Sequence, residues 1–179
     1  YEKPAKRADD PTLNTALNNL NKYISARISY DKLNVLNGDT IHKWLTVNSD
    51  GSVNISDEGV ESFVKTISNA YNTIGKPKTL KTSYGPTVTI SGGSYGWKVD
   101  TEKEKATIKS LIEAGETTKR EPEFSRKAAS HGENDYGNSY VEVNLTTQHM
   151  FVIKNGSKVL ESDFLSGNVA RNWTTPAGV

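Results

Sequence analysis

The chain has 179 residues, with 22 basic side chains against 21 acidic ones and no cysteine. A net charge of +1 argues against a nucleic-acid-binding protein, which normally carries a strongly basic surface. The lack of cysteine excludes disulfides, thiolate zinc sites and a thiol nucleophile within these residues. Because no run of about 18 apolar residues occurs, we expect no transmembrane helix in this span.

Apolar stripes at helical spacing predict three main helices in the first two thirds of the chain. Asp10, which stands before a proline, is typical of the start of the first helix. Ser56 is expected to cap the second helix, and a capping box beginning at Thr101 is expected to open the third. Gly115 is expected to end the third helix.

Residues 79–99 are rich in threonine, valine, isoleucine and tyrosine, are interrupted at Gly85-Pro86 and Gly92-Gly93, and predict three short strands. Gly92-Gly93 is expected to form a hairpin turn, since the surrounding residues do not match a phosphate-binding loop. These elements predict an α+β domain over residues 11–125, with helices packed on a small sheet. We expect residues 1–10 to be a linker arm and residues 126–138, which are polar and aperiodic, to be an interdomain linker.

Residues 139–179 predict the first strands of a second, mostly β domain. The alternation in residues 140–145 places Val141, Val143 and Leu145 on one face of a strand. Asn155-Gly156 predicts a tight hairpin between the two strands that follow. Three strands bury too little surface to form a stable domain, so we expect this domain to be incomplete at Val179.

Several motifs follow one another in this C-terminal part: Tyr140-Val141-Glu142-Val143-Asn144-Leu145-Thr146, Gln148-His149-Met150, Asn155-Gly156, Ser166-Gly167-Asn168 and Thr175-Pro176-Ala177-Gly178. In this order they resemble the opening of the L,D-transpeptidase catalytic domain.

A second group of motifs lies upstream: Trp44, Asp50-Gly51, Tyr71-Asn72-Thr73, Gly92-Gly93 and Tyr95-Gly96-Trp97-Lys98-Val99-Asp100. This group resembles the peptidoglycan-binding domain often found before that catalytic domain. The order of the two domains matches the L,D-transpeptidases of Gram-positive bacteria, of which the enterococcal type is most similar.

The resemblance implies a parent enzyme that cross-links peptidoglycan stem peptides by acyl transfer through a cysteine. The family's nucleophile lies in a Ser-His-Gly-Cys motif, with another histidine upstream, and both are expected beyond Val179. No catalytic residue is therefore expected here, and this fragment alone is predicted to be inactive and not acylated by carbapenems. Ser130-His131-Gly132 matches three letters of the motif, but Glu133 replaces the cysteine and the match precedes the first catalytic-domain strand. We interpret it as a coincidence.

Two aromatic residues are candidates for substrate contact. Tyr95, beside a glycine turn, could stack on a sugar or pack within the fold, and both alternatives stay open. Trp173 could line the approach to the active site, or it could be buried against residues outside this chain. Trp97 is expected in the core, under the helix that begins at Thr101. Glu142 and Asp163 are interpreted as solvated strand residues rather than as a hydrolase pair.

His42 and His149 have no cysteine or carboxylate at metal-ligand spacing, so we expect no metal and no cofactor. The expected partners are peptidoglycan stem peptides and glycan, with no nucleic acid, and a membrane only through an anchor upstream of Tyr1. The expected location is the extracellular cell wall. The alternative functions are a non-catalytic peptidoglycan-binding module and a spacer.

Overall fold

The computed structural model describes residues 10–132 and 134–174, which form an α+β fold. The helices are α1 (Pro11–Ile24), α2 (Gly38–Ile41), α3 (Asp57–Tyr71) and α4 (Thr101–Ala114). The strands are β1 (Arg27–Ser29), β2 (Leu45–Val47), β3 (Val53–Ile55), β4 (Lys78–Lys81), β5 (Thr87–Ile90), β6 (Lys98–Val99), β7 (Thr117–Lys119), β8 (Phe124–Arg126), β9 (Tyr140–Asn144), β10 (His149–Lys154) and β11 (Ser157–Asp163). None of these helices combines the length and the apolar character that a membrane span requires.

The chain divides into two compact units, and neither is continuous in sequence. The described residues of the first unit are 10–72 and 98–126, and those of the second are 73–97, 127–132 and 134–174. The β4–β5 hairpin and the described residues 127–132 and 134–138 of the predicted linker belong to the second unit. The predicted domain boundaries stay a prediction.

The first unit contains a core of fully buried aliphatic side chains from helices and short strands. Ile28, Ile41, Ile67, Ile108 and Ile112 have no solvent exposure. Each such side chain contributes about 1.5–3 kcal/mol relative to an exposed position. The sheets of this unit have two strands each: β1 pairs with β7 in parallel, while β2–β3 and β6–β8 are antiparallel.

The helix starts follow the predictions in two of three cases. Asp10 caps α1 and Ser56 caps α3, as predicted. The capping box predicted at Thr101 is wrong by one residue, because Asp100 is the cap and its carboxylate accepts the Lys103 N–H at 3.1 Å. Asp100 has an extended backbone and a strong capping side chain, so Thr101 becomes the first helical residue.

A buried ionic cluster lies in the first unit at the fully buried side chain of Glu104. Its carboxylate accepts the Tyr30 hydroxyl at 2.5 Å, the Arg120 guanidinium at 2.5 Å and the Glu123 N–H at 2.7 Å. Burial, and then the hydrogen bond to this carboxylate, raise the pKa of Tyr30. Burial is the largest effect on the pKa of Arg120 and lowers it, but the attraction and hydrogen bonds of Glu104 and Tyr30 together outweigh burial and raise the pKa.

The main element of the second unit is the antiparallel sheet β11-β10-β9. Asn155 and Gly156 both have positive φ angles, 53° and 78°, which confirms the tight hairpin between β10 and β11. The predicted alternation of β9 is also present, but Val141 and Val143 are 58% and 51% exposed while Glu142 is buried. One apolar face of this sheet is therefore open within the described residues.

The β4–β5 hairpin covers the other face of the sheet. Glu142 accepts the Ser83 N–H at 2.9 Å and the Ser83 hydroxyl at 2.8 Å, so the interpretation of Glu142 as a solvated residue is wrong. The Tyr84 ring stacks on Phe151 with 6.5 Å between centroids. The hairpin turn lies at residues 82–86, and not at Gly92-Gly93, which lie in the connection after β5.

Candidate functional site

A groove of about 450 Å³ lies in the second unit, beside the β4–β5 hairpin and the start of β9. We call it the tyrosine groove, and its lining residues are Lys78, Leu80, Ile90, Gly92, Gly93, Ser94, Tyr95, Tyr136, Tyr140 and Val141. Its volume falls within the range of roughly 300–1,000 Å³ that is typical of small-molecule sites. The structure thus places Tyr95, one of the predicted contact residues, in a concave apolar surface.

The tyrosines of the groove are held by hydrogen bonds and ring contacts within the second unit. The Tyr95 hydroxyl accepts the Ala129 N–H at 2.9 Å, and the Tyr136 hydroxyl donates to the Thr79 carbonyl at 3.0 Å. The Tyr136 and Tyr140 rings meet edge to face, with 5.2 Å between centroids and 78° between planes. These bonds fix the position of each ring, while the Tyr95 side chain stays 46% exposed.

Lys78, a cationic residue that lines the groove, forms an ion pair with Asp135. The Lys78 ammonium donates to Asp135 at 2.8 Å and to the Thr73 carbonyl at 3.2 Å. Asp135 is 6% exposed and also accepts the Thr73 hydroxyl at 2.5 Å. A ligand in this groove therefore meets apolar and aromatic surface, and the charge of Lys78 is already matched by the protein.

Trp97 forms the buried support of the loop that carries Tyr95. It is 7% exposed, as predicted, and its indole contacts residues of the second unit. Its indole N–H donates to the Ser130 carbonyl at 2.7 Å, and its ring stacks on His131 with 3.7 Å between centroids. The Ser130-His131-Gly132 stretch thus contacts Trp97, and the interpretation of its match to the catalytic motif as a coincidence stays a prediction.

Gly96 permits this arrangement because it has a φ of 144° and lies against the backbone of Ile74. A Cβ atom at Gly96 would come within 2.5 Å of the Ile74 nitrogen. The close approach lets the Trp97 N–H donate to the Thr73 hydroxyl at 2.9 Å.

Trp173, the other predicted contact residue, lies outside the groove. Its side chain is 65% exposed, and the Arg171 guanidinium lies 5.7 Å from the centre of its ring. Its backbone N–H donates to the Asn168 carbonyl at 2.9 Å. The structure does not bring Tyr95 and Trp173 into one site, and the substrate role of Trp173 stays a prediction. The Thr175-Pro176-Ala177-Gly178 motif lies outside the described residues.

A second groove, also of about 450 Å³, lies in the first unit next to the start of α3. Trp44 and Phe63 line it, and their ring centroids are 6.2 Å apart. The Trp44 ring packs directly on Gly59, where an added Cβ would come within 2.5 Å of it. Trp44 is therefore half-buried, whereas Tyr95 of the tyrosine groove is exposed.

His149, the first residue of the central strand β10, lies next to two carboxylates of β11. His149 Nδ1 is 2.6 Å from Asp163, and its Nε2 is 3.8 Å from Glu161. A hydrogen bond from Lys158 lowers the pKa of Glu161. Within residues 10–132 and 134–174, no group of three or more histidine or acidic side chains has the geometry of a metal site.

The sequence analysis identified Tyr95 but not the other residues of the tyrosine groove. Tyr136 lies in the predicted linker, and Leu80 and Ile90 were attributed to the first domain. The only sequence signal was the spacing of Tyr136 and Tyr140 around a polar segment, which does not reveal that the β4–β5 hairpin lies beside them.

Comparison with known proteins identifies a family for most of the chain. A family described as "Putative peptidoglycan binding domain" matches residues 9–120, which is more than half of the chain. A search of curated proteins finds no match.

Two solved structures are similar to nearly the whole chain. The Ldtfm–avibactam carbamoyl enzyme is 29% identical with a TM-score of 0.61, and the match covers 93% of this chain and 65% of that one. A cysteine-to-serine mutant of the Enterococcus faecium L,D-transpeptidase is 29% identical with a TM-score of 0.60, and the match covers 90% of this chain and 65% of that one. The chain therefore spans about two thirds of the length of these enzymes.

These matches confirm the resemblance stated from the sequence motifs. The two structural matches extend this resemblance beyond the motifs, because one of them covers 93% of the chain and so includes residues of both units. The chain belongs to the family described as "Putative peptidoglycan binding domain", and its fold is similar to that of the two L,D-transpeptidase structures.

Proposed function

We propose that this chain is the peptidoglycan-binding domain and the opening of the catalytic domain of a cell-wall L,D-transpeptidase. The observation that carries the proposal is the similarity to two L,D-transpeptidase structures over at least 90% of the chain at 29% identity. A match of this extent includes the C-terminal sheet as well as the family domain at residues 9–120. It therefore supports a transpeptidase parent rather than a binding domain joined to an unrelated partner.

The proposed reaction is cysteine acyl transfer in two steps. A thiolate attacks the carbonyl carbon of an L,D peptide bond in one stem peptide, forms a thioester and releases the terminal D-residue as its amine. The amine of a neighbouring stem peptide then attacks the thioester, forms the cross-link and regenerates the thiol. Because these 179 residues contain no cysteine, the nucleophile and its histidine lie outside them, and this chain alone forms no acyl-enzyme.

The open face of the C-terminal sheet supports this assignment. Val141, Val152 and Leu160 form one cross-strand row on β9, β10 and β11. Val141 and Leu160 are 58% and 52% exposed within the described residues. An apolar row of this kind is normally covered in a folded domain. We propose that polypeptide outside these 179 residues covers the Val152 and Leu160 part of this row in the parent enzyme, while Val141 at its other end lines the tyrosine groove.

The proposed location is the extracellular cell wall of a Gram-positive bacterium, where peptidoglycan glycan and stem peptides are the partners. A chain without cysteine suits an exported protein that does not depend on disulfides. Any membrane attachment would come from an anchor upstream of Tyr1, and Tyr95 and Trp173 are the proposed substrate-contacting residues of this part.

The enzyme proposal is tested by comparing this chain with a polypeptide extended beyond Val179. We expect the extended reading frame to encode, within about one hundred residues, a histidine followed by Ser-His-Gly-Cys, as cysteine acyl transfer requires. Intact mass after incubation with a carbapenem should show an adduct on the extended polypeptide and none on this chain. An extension without a cysteine, or one that stays unmodified, would contradict the proposal.

The second candidate is a non-catalytic peptidoglycan-binding or spacer module. The family match at residues 9–120 and the lack of cysteine favour it for this chain taken alone. Co-sedimentation with purified sacculi separates the two forms of this candidate, since a binding module pellets with the sacculi and a spacer stays in the supernatant. Mass spectrometry of the extended polypeptide separates both from the enzyme.

A further inference from the structure

The tyrosine groove has the chemistry of a site for an uncharged ligand. Among the described residues that line the groove, only Lys78 carries a full charge at neutral pH, and Asp135 and Thr73 already bind its ammonium group. A carboxylate or an ammonium group of a ligand would lose hydration there without gaining a free counter-charge. This disfavours the charged stem peptides as occupants.

The aromatic rings of the groove are suited to stacking. The hydroxyls of Tyr95 and Tyr136 are held by Ala129 and Thr79, so the rings are positioned before any ligand arrives. A preorganised ring loses little conformational entropy on binding, which favours affinity. Leu80 and Ile90 add aliphatic surface beside the rings, and Ile90 is 47% exposed.

The glycine loop next to Tyr95 provides the polar part of the site. Gly92 and Gly93 have φ angles of 79° and 80° and no atoms within 4 Å of the position of an added Cβ. A ligand can therefore approach their backbone N–H and carbonyl groups closely. Hydroxyl and amide groups can use such backbone partners, whereas a purely apolar ligand cannot.

We propose that the tyrosine groove binds the glycan strand of peptidoglycan through an N-acetylated pyranose ring. The apolar face of the sugar stacks on Tyr95, and the acetyl methyl group packs against Leu80 and Ile90. The hydroxyl and amide groups of the sugar bond to the Gly92-Gly93 backbone. This inference rests on the proposed function, in which peptidoglycan is the polymer that this chain contacts.

The test uses the whole 179-residue chain and two matched tyrosine variants. Tyr95→Ala removes a ring of the groove that is 46% exposed, and Tyr84→Ala removes a ring of the same unit that is 48% exposed but lies outside the groove. We expect Tyr95→Ala to weaken co-sedimentation with purified sacculi about tenfold, which corresponds to about 1.4 kcal/mol of stacking. Tyr84→Ala should bind like the unchanged chain, and Tyr95→Phe, which keeps the ring, should lose less than Tyr95→Ala.

A second pair of variants covers the case in which Tyr95→Ala fails to fold. Ile90→Asp places a charge in the groove, and Val159→Asp places one on an exposed strand position elsewhere in the unit. We expect only Ile90→Asp to reduce binding, while circular dichroism and thermal melts show that both variants are folded.

The nature of the ligand is tested with two further samples. Glycan strands from which an amidase has removed the stem peptides should still bind to the chain. The N-acetylglucosamine tetramer should compete with sacculi for the chain. Binding of intact sacculi without binding of stripped glycan would overturn the inference. The inference would also be overturned if Tyr95→Ala and Tyr84→Ala bound equally well. The same holds if only Trp44→Ala, a further variant in the first unit, lost binding. Either result would leave peptidoglycan binding by the chain intact. A wild-type chain that does not sediment with sacculi would instead contradict peptidoglycan binding by this chain, and the inference with it.

Discussion

The two units of this protein differ in how they achieve stability. The first unit has a core of fully buried isoleucines together with a buried carboxylate, Glu104, whose hydrogen bonds are satisfied within the unit. Among its described residues, the second unit buries four large apolar side chains, those of Leu80, Trp97, Phe151 and Ile153, while Val143 and Leu160 on its sheet are about half exposed.

The difference shows that an apolar side chain in this protein is buried where a second layer of structure covers its strand. The apolar content of the strand does not decide this. In the first unit helices cover the short strands, so apolar residues lie inside. In the second unit only one face of the sheet is covered, by the β4–β5 hairpin, and the strand alternation places Glu142 on that covered face. The opposite apolar face requires a partner that the described residues do not supply.

The strongest test of this contrast is Glu104→Ala in the first unit. The change leaves Arg120 and the Tyr30 hydroxyl without their buried partner, and we expect a loss of about 3–5 kcal/mol in the free energy of unfolding. Glu102→Ala in the same helix is the control, because its carboxylate is 81% exposed and should contribute little. Urea denaturation measures both variants, and a loss below about 1 kcal/mol for Glu104→Ala would show that the cluster is not a structural element of the core.

A smaller effect, confined to the second unit, is expected for Glu142→Ala. The variant leaves the Ser83 N–H and hydroxyl without an acceptor, which costs about 1–3 kcal/mol. Glu161→Ala is the matched control, since both glutamates flank Phe151 in one cross-strand row but Glu161 is exposed. Hydrogen exchange should accelerate in β4, β5 and β9 and stay unchanged in α3 and α4. Faster exchange throughout the chain would mean that the two units unfold together.

A third prediction concerns alkaline pH and the first unit. The pKa of Tyr30 is raised in the folded state, so the neutral phenol is favoured there and this contribution is complete below the unfolded pKa of about 10. Stability should fall as the pH rises above that value, by up to about 1.4 kcal/mol at pH 11 from this residue. Urea denaturation at pH 9 and pH 11 measures the loss, which should be smaller by this amount in Tyr30→Phe. Identical losses in the two proteins would assign the pH dependence to other groups.

The smallest effect on stability is expected for Leu160→Lys on the open face of the second unit. Leu160 is 52% exposed, so the free energy of unfolding should change by less than about 0.5 kcal/mol. The variant should nevertheless bind less of a hydrophobic dye such as ANS, because the open face loses apolar area. Lys158→Ala, on the same strand, should leave dye binding unchanged. Large destabilisation by Leu160→Lys would show that this face is covered in the isolated chain.

The sequence by itself determined the local elements of this protein. Asp10, Ser56 and Asn155-Gly156 act within a few residues of their own positions, so their cap and turn roles follow from local chemistry. The ordered motifs likewise identified the family, because a motif is a property of the chain and needs no knowledge of its packing.

Tertiary structure alone decided which face of a strand is buried and which residues form the candidate site. Alternation predicts that Val141 and Val143 share a face, but the position of the β4–β5 hairpin determines that this face is the exposed one. Asp135 and Tyr136 belong to a polar segment with no periodic signal, yet they contact Lys78 and Thr79, more than fifty residues earlier in the chain. Such contacts depend on where distant segments meet in space, and local sequence preferences do not specify that.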